Sequence, residues 1–297
     1  METVHLGPLS AWLVAIRPAT LTAAVVPVVV GTAVAARSGV EDPAAAVVVL
    51  VAALCIQIGT NLANDVDDFR RGADSPARLG PTRVTQAALL PPQQVQRAAW
   101  VAFGLAAVAG LQLWALAGWP IIAVGVAAIG SGWAYTGGPW PLGYHGLGDL
   151  FVFVFFGVVA VAGTYYVQAG SVSSFACAVS VPVGALATAI LVVNNIRDVQ
   201  TDEAAGKRTL AVRLGQSAGR AEFILLIILA YLLPAAILFA QATSAWILLP
   251  WLTLPWAVRL SLTVATATEG PSFNAALRGT ARLHGMFGIL LAAGLLA

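Results

Sequence analysis

Two short stretches hold most of the side-chain oxygen chemistry in this sequence. Asn61, Asn64 or Asp65, and Asp68 follow i, i+3/i+4, i+7 spacing, which puts them on one face of a helix. Asn194, Asp198 and Asp202 repeat the arrangement at i, i+4, i+8, with Asn195 and Arg197 beside them. The motifs Asn61-x-x-x-Asp65-Val66 and Asn194-x-x-x-Asp198-Val199 lie 133 positions apart, and each closes an apolar stretch before a long basic loop. Such an echo suggests two related halves facing one site. Seven of the thirteen acidic residues fall in these clusters: Asp65, Asp67, Asp68, Asp74, Asp198, Asp202 and Glu203.

Hard oxygen ligands close to arginine and lysine suit a diphosphate, because Mg²⁺ is typically bound through one or two carboxylates together with substrate phosphates. Two clusters could hold two such ions. The nearby cations are Arg70, Arg71, Arg78, Arg83, Lys207 and Arg208, and an arginine fork can grip phosphate oxygens bidentately. The plainer alternative makes these acids solvated loop residues, but ionisable groups gathered on one face of a membrane helix favour a functional role. Asp67 lies off the shared face and Glu203 is next to Asp202, so both read as solvated neighbours. His5, His145 and His284 share no spacing and read as structural. Asp149 reads as a helix cap, and Cys55 and Cys177, each inside an apolar stretch, as small hydrophobes.

The elements that carry these residues must lie in a membrane. The 297-residue chain is 59% hydrophobic and 9% charged, against roughly 25% charged in soluble domains. Nine stretches approach the roughly 20 apolar residues that a helix needs to cross the hydrocarbon core. They run about 12–36, 44–64, 98–116, 119–136, 150–167, 172–196, 223–240, 246–265 and 274–296. Arg17, Pro18 and Pro27 in the first, and Arg278 and Arg282 in the last, mark these two as kinked or partly interfacial. No basic region precedes the first stretch, so no cleavable signal is expected.

Nine alternating crossings sort the connections into two sets. Thirteen of the fifteen basic residues fall in the set around 65–97, 136–149, 197–220 and 259–282. The excess places those loops, and the N-terminus, in the cytoplasm. The expected architecture is an all-α membrane protein, a single domain over residues 1–297, with about nine transmembrane helices around a central cavity. Its tryptophans and tyrosines gather near span ends as interfacial anchors, and a few could line an apolar tunnel and shield a cation.

At this point the residues are similar to a known family. Asn64-Asp65-x-x-Asp68 with Asp198-x-x-x-Asp202 resembles the UbiA superfamily of intramembrane prenyltransferases, over nearly the whole chain. Asn64-Asp65-Val66-Asp67-Asp68-Phe69-Arg70-Arg71-Gly72-Ala73-Asp74, then Arg78-Leu79-Gly80-Pro81-Thr82-Arg83, resembles its MenA branch, the 1,4-dihydroxy-2-naphthoate polyprenyltransferases. Arg17-Pro18-x-Thr20-Leu21, Tyr135-Thr136-Gly137-Gly138, Gly143-Tyr144-x-Gly146-Leu147-Gly148-Asp149 and Asn194-Asn195-x-Arg197-Asp198 through Gly206-Lys207-x-Thr209-Leu210 fit the same branch. One element departs: relatives usually carry a basic residue before the Pro-x-Gly-Tyr of the following loop, where this chain has Pro139-Trp140-Pro141. The resemblance therefore promises no diphosphate contact from that loop.

The resemblance implies transfer of a polyprenyl group from its diphosphate to 1,4-dihydroxy-2-naphthoate, with loss of CO₂ and diphosphate, giving demethylmenaquinone in a multi-pass cell-membrane protein. It implies Mg²⁺ held by Asn64, Asp65, Asp68, Asp198 and Asp202, of which the four aspartates are catalytic. Arg78, Arg83, Lys207 and Arg208 then neutralise the diphosphate, and Arg17, Asn61, Tyr135, Tyr144, Asn194, Asn195 and Arg197 contact substrate. Partners are the two substrates and membrane lipid, not nucleic acid. Two alternatives stand beside this reading. One is a related prenyltransferase using 4-hydroxybenzoate or homogentisate. The other is a secondary transporter for an anionic solute, which explains the repeat but not seven clustered acids.

Overall fold

A computed structural model describes residues 7–74, 78–241 and 243–297 of the protein; His5 lies outside them. Among the described residues the chain is helical, without strands. A short helix α1 (Pro8–Ile16) and α2 (Thr22–Arg37) are joined by a 3-10 turn (Pro18–Thr20) and bent by 49°. Arg17 ends α1 in the left-handed region, at φ 53°. The proline at 18 disfavours a helical conformation at the residue before it, so the kink expected in the first span falls here.

Helix α3 (Pro43–Arg70) begins with Asp42, whose Oδ1 accepts from the backbone N–H groups of Ala44 and Ala45. It continues six residues past the expected end, so the first Asp cluster is helical. Next come α4 (Pro92–Ala117) and α5 (Trp119–Ala134). A 3-10 turn (Leu142–His145) leads to a span made of α6 (Gly148–Phe153), a π-helical turn (Val154–Val159) and α7 (Ala160–Ala169). The span packs tightly on α8 (Ser174–Arg197): a Cβ on Gly157 would lie 2.6 Å from the Cα of Gly184. Short helices α9 (Val199–Ala204) and α10 (Leu210–Leu214) precede α11 (Gln216–Gln241). The chain closes with a 3-10 segment (Ala245–Thr253), α12 (Leu254–Thr266) and α13 (Gly270–Leu296).

Seven of these helical runs are long and apolar enough to span a membrane, and the bent α1–α2 pair makes an eighth. The ninth expected span, α5, is apolar but only 16 residues long, shorter than a full crossing usually needs. Helix α8 is the buried centre, flanked by α2, α6, α11 and α13. The basic segment expected between the last two spans shrinks to residues 267–269, and Arg259, Arg278 and Arg282 lie within helices. The protein is a multi-pass membrane protein whose polar motifs end α3 and α8 on one face.

Candidate active site

The end of α3 is an acid-lined face that the following loop folds over. Asp65, 1% exposed, accepts from the backbone N–H of Thr85 at 2.9 Å and of Val84 at 3.2 Å. A carboxylate thereby pins the far end of the loop. Asp68 accepts from the Tyr144 hydroxyl at 3.0 Å and from Arg83 Nη2 at 3.3 Å. Asp74 binds Arg78 and stands 3.3 Å from Arg83 Nε in an ion pair that lacks hydrogen-bond geometry. Asn64 accepts from the Thr136 hydroxyl at 2.7 Å.

The second motif meets the first through side chains. Buried Arg197 donates from Nε to Asp198 at 2.7 Å, from Nη2 to Asn194 at 2.7 Å and from Nη1 to Asn274 of α13 at 2.8 Å. Gly80, from the first loop, lies against it: a Cβ there would be 2.6 Å from Arg197 Nη2 and 2.8 Å from Arg78 Nη2. Lys207 Nζ is 3.6 Å from Asp202 and 5.6 Å above the Tyr144 ring. Asp68, Tyr144, Lys207 and Asp202 thus form a continuous bridge between residues far apart in sequence.

Burial sets the electrostatics. It pushes the Asp74 carboxyl up to about 6, although Arg78 pulls the other way. Burial likewise raises Asp202 to about 6, with Lys207 opposing and the Asp198 charge adding to the rise. Burial works against the Lys207 cation, but Asp68, Asp202 and Asp198 outweigh it and raise the pKa. Burial, then the charge and hydrogen bond of Asp68, raise Tyr144 and keep it a donor.

Several buried polar atoms here have no hydrogen-bond partner among the described residues: Arg78 Nε, Arg83 Nε and Nη1, and one oxygen of Asp202. Unpaired buried groups are costly unless something supplies their partner. Phosphate oxygens would satisfy the guanidinium donors, and a divalent cation the Asp202 oxygen. Among the described residues no three carboxylate, thiol or imidazole groups are grouped closely enough to hold a metal unaided.

Beside this site lies an apolar cavity of about 410 Å³, among α2, α3, α4, α5 and the α6–α7 span, lined by no charged residue. Along α3 its walls recede from Asp65 through Thr60, Ile56, Ala53 and Val49, about 16 Å from Thr60 to Val49 at the helical rise. Tyr135 lines the cavity, and its hydroxyl lies against Gly148, where a Cβ would be 2.7 Å away.

The structure brings together Asn64, Asp65, Asp68, Arg78, Arg83, Tyr144, Arg197, Asp198, Asp202 and Lys207. Other expected residues do different work. Asn61 donates to the Ile16 carbonyl and the Thr20 hydroxyl, tying α3 to the α1–α2 break. Arg17 Nη2 is 3.9 Å from Asp65. Asn194 holds Arg197, and Asn195 donates to Asp149 at 3.2 Å. Asp149 makes no cap hydrogen bond and lies inside α6, so the expected cap is corrected to a partner for Asn195. Arg208 joins through its backbone N–H to the Tyr144 carbonyl, while its side chain is exposed. Asp67 is half-buried against Gly137, and Glu203 is exposed. His145 stacks on Trp140. Asp74 and Thr136, named in the sequence motifs but given no site role there, and Asn274, which no motif contains, also join the site. Only Asp74 left a signal of its contact in the sequence, its i, i+4 spacing to Arg78.

Comparison with known proteins shows the family. Residues 24–277 match the UbiA prenyltransferase family, and the chain belongs to it. It is 40% identical to the 1,4-dihydroxy-2-naphthoate octaprenyltransferase of Mycobacterium tuberculosis, over 91% of each chain. It is 39% identical to the Escherichia coli protein of the same name, over 73% of this chain and 72% of the other. In fold it resembles a UbiA homolog from Archaeoglobus fulgidus bound to GPP and Mg²⁺, with a TM-score of 0.65, 14% identity and coverage of 97% of this chain and 100% of that one.

Proposed function

We propose that the protein transfers a polyprenyl group from its diphosphate to the ring of 1,4-dihydroxy-2-naphthoate, releasing diphosphate and CO₂ and giving demethylmenaquinone at its quinol level. The observation that carries this reading is the set of buried Arg78 and Arg83 N–H groups without a hydrogen-bond partner among the described residues, in an acid-lined site beside a largely apolar cavity that no charged residue lines. The site suits a molecule with one doubly phosphorylated end and one greasy end. The acceptor is taken from the names of the Mycobacterium tuberculosis and Escherichia coli relatives.

In this mechanism Arg78, Arg83 and Lys207 take charge from the diphosphate as the allylic C–O bond ionises, with Arg208 at the rim. Preorganised charge aimed at a leaving group is usually the largest catalytic contribution. Asn64, Asp65, Asp68, Asp198 and Asp202 are the residues that would hold Mg²⁺, one ion per cluster. When bound, Mg²⁺ neutralises the developing diphosphate charge. Tyr144 orients Asp68, and Arg197 holds Asp198 in place. The cavity shelters the chain, and Tyr135 at its wall offers a ring face to the allylic cation. The aromatic ring attacks that cation, forming the C–C bond, and the bond from the ring to the carboxylate breaks to release CO₂, its electron pair staying with the ring so that no net proton is lost.

We further read the whole chain as one transferase domain in the plasma membrane, crossing it nine times with α5 locally thinning the bilayer, and with the N-terminus and active site in the cytoplasm. Purified protein is incubated with 1,4-dihydroxy-2-naphthoate and radiolabelled polyprenyl diphosphate, with Mg²⁺ or EDTA, and with 4-hydroxybenzoate as competitor. Prenylated naphthoquinol formed only with Mg²⁺ is expected. Product from 4-hydroxybenzoate alone would move the acceptor, and no diphosphate release would overturn the reading.

A further inference from the structure

Three arginines occupy a place that prenyl transfer does not use. Arg259 on α12, and Arg278 and Arg282 on α13, are all exposed on the outer surface of the helix bundle. The two helices touch where Leu260 meets Gly279: a Cβ on that glycine would be 2.6 Å from Leu260 Cδ2. Arg259 and Arg278 each adjoin one of these contact residues, and Arg282 lies one turn further along α13. The three therefore border a single seam.

Their depth makes them unusual. Helix α13 starts at the active-site face, where Gly270 abuts Leu79 and Asn274 holds Arg197. At the helical rise Arg278 and Arg282 lie about 12 and 18 Å beyond Gly270, and Arg259 about 10 Å inside the end of α12. Among the described residues no ion pair involves these guanidiniums. None of their side chains donates a hydrogen bond to the protein either, although each carries five N–H donors. Unpaired cations at membrane depth are expensive and generally find an anion. Further along α13 the same exposed stripe turns apolar, with Met286 and Ile289 facing outward. Cations above and apolar surface below match the headgroup and acyl chain of one lipid.

We propose that the α12–α13 seam is a binding site for an anionic phospholipid of the leaflet on the active-site side. The lipid phosphate sits among Arg259, Arg278 and Arg282, and its acyl chain lies along Met286 and Ile289. Because α13 also carries Asn274, the bound lipid braces the helix that holds Arg197 and Asp198.

Protein in nanodiscs of phosphatidylcholine with graded fractions of phosphatidylglycerol is extracted gently, and retained lipid is counted by native mass spectrometry. Wild type, and Arg97→Gln as a control at another exposed arginine of α4, should keep phosphatidylglycerol selectively. Each Arg→Gln change at the seam should weaken retention about fivefold, and the triple variant about a hundredfold. The Arg→Lys triple variant should keep much of it, and the single Arg282→Gln variant serves if the triple does not fold. Equal retention by Arg282→Gln and wild type, or no preference for phosphatidylglycerol over phosphatidylcholine in wild type, overturns the proposal. Loss of retention on adding inorganic phosphate would also overturn it, by making the seam a free-phosphate site.

Discussion

Replacing Gly80 by alanine tests whether the two polar motifs share one site, because this residue lies where they touch. The added Cβ would sit 2.6 Å from Arg197 Nη2, 3.0 Å from its Cζ and 2.8 Å from Arg78 Nη2, whereas ordinary contact begins near 3.4 Å. The ends of long side chains often move aside at little cost. Arg197 cannot do so freely, since it is buried and held by Asn194, Asp198 and Asn274. Arg78 is tied to Asp74. Relief of the clash must shift the loop or break a charge-assisted hydrogen bond, at about 1.5–3 kcal/mol. The backbone of Gly80 is not in the left-handed region, so alanine adds only the steric term. A displacement approaching 1 Å near reacting groups costs up to about a hundredfold in rate. Gly80→Ala should therefore lower kcat/KM for prenyl transfer about ten- to hundredfold with a modest fall in Tm. Gly104→Ala, inside α4 with nothing within 4 Å of the added Cβ, should leave kcat/KM unchanged without lowering Tm. Wild-type kcat/KM in folded Gly80→Ala would refute the packing of the first loop on the second motif.

Four further outcomes follow from the same geometry. Tyr144→Phe keeps the ring above Lys207 but removes the hydrogen bond to Asp68, and should lower turnover about tenfold in the prenyl-transfer assay. Arg197→Met leaves Asp198 buried without its partner and should destabilise the fold by about 3–5 kcal/mol, read as a large fall in Tm. Asp74 and Asp202 have their pKa raised to about 6 from 3.8, so activity that needs them ionised should rise as pH passes through about 6. Stability moves the opposite way between 3.8 and about 6: the folded state binds more protons than the unfolded one there, so the metal-free protein should lose stability as pH rises through that window, which denaturant titration at stepped pH checks. Chelation with EDTA should abolish turnover and excess Mg²⁺ should restore it, measured as diphosphate release.

The sequence by itself determined the membrane class, the helical content and the two acid clusters, because these rest on local facts. Apolar run length selects spanning helices, and i, i+3/i+4, i+7 spacing puts Asn61, Asn64 or Asp65, and Asp68 on one face whatever the helix packs against. Repetition of the motif after α8 also allowed the two clusters to be matched before any contact was known. Chain breaks were partly legible: Arg17-Pro18 signalled a kink, but nothing local told that α5 would be short. Tertiary structure alone decided what each polar residue holds. Asn61 and Asp65 have the same look in sequence as Asp68, yet one stitches the α1–α2 break and the other clamps Val84 and Thr85. Whether a carboxylate takes backbone amides, as Asp65 does, or a tyrosine hydroxyl and a guanidinium, as Asp68 does, depends on which distant loop folds over it. That choice joins residues from Arg17 to Asn274, and no spacing rule along one helix contains it.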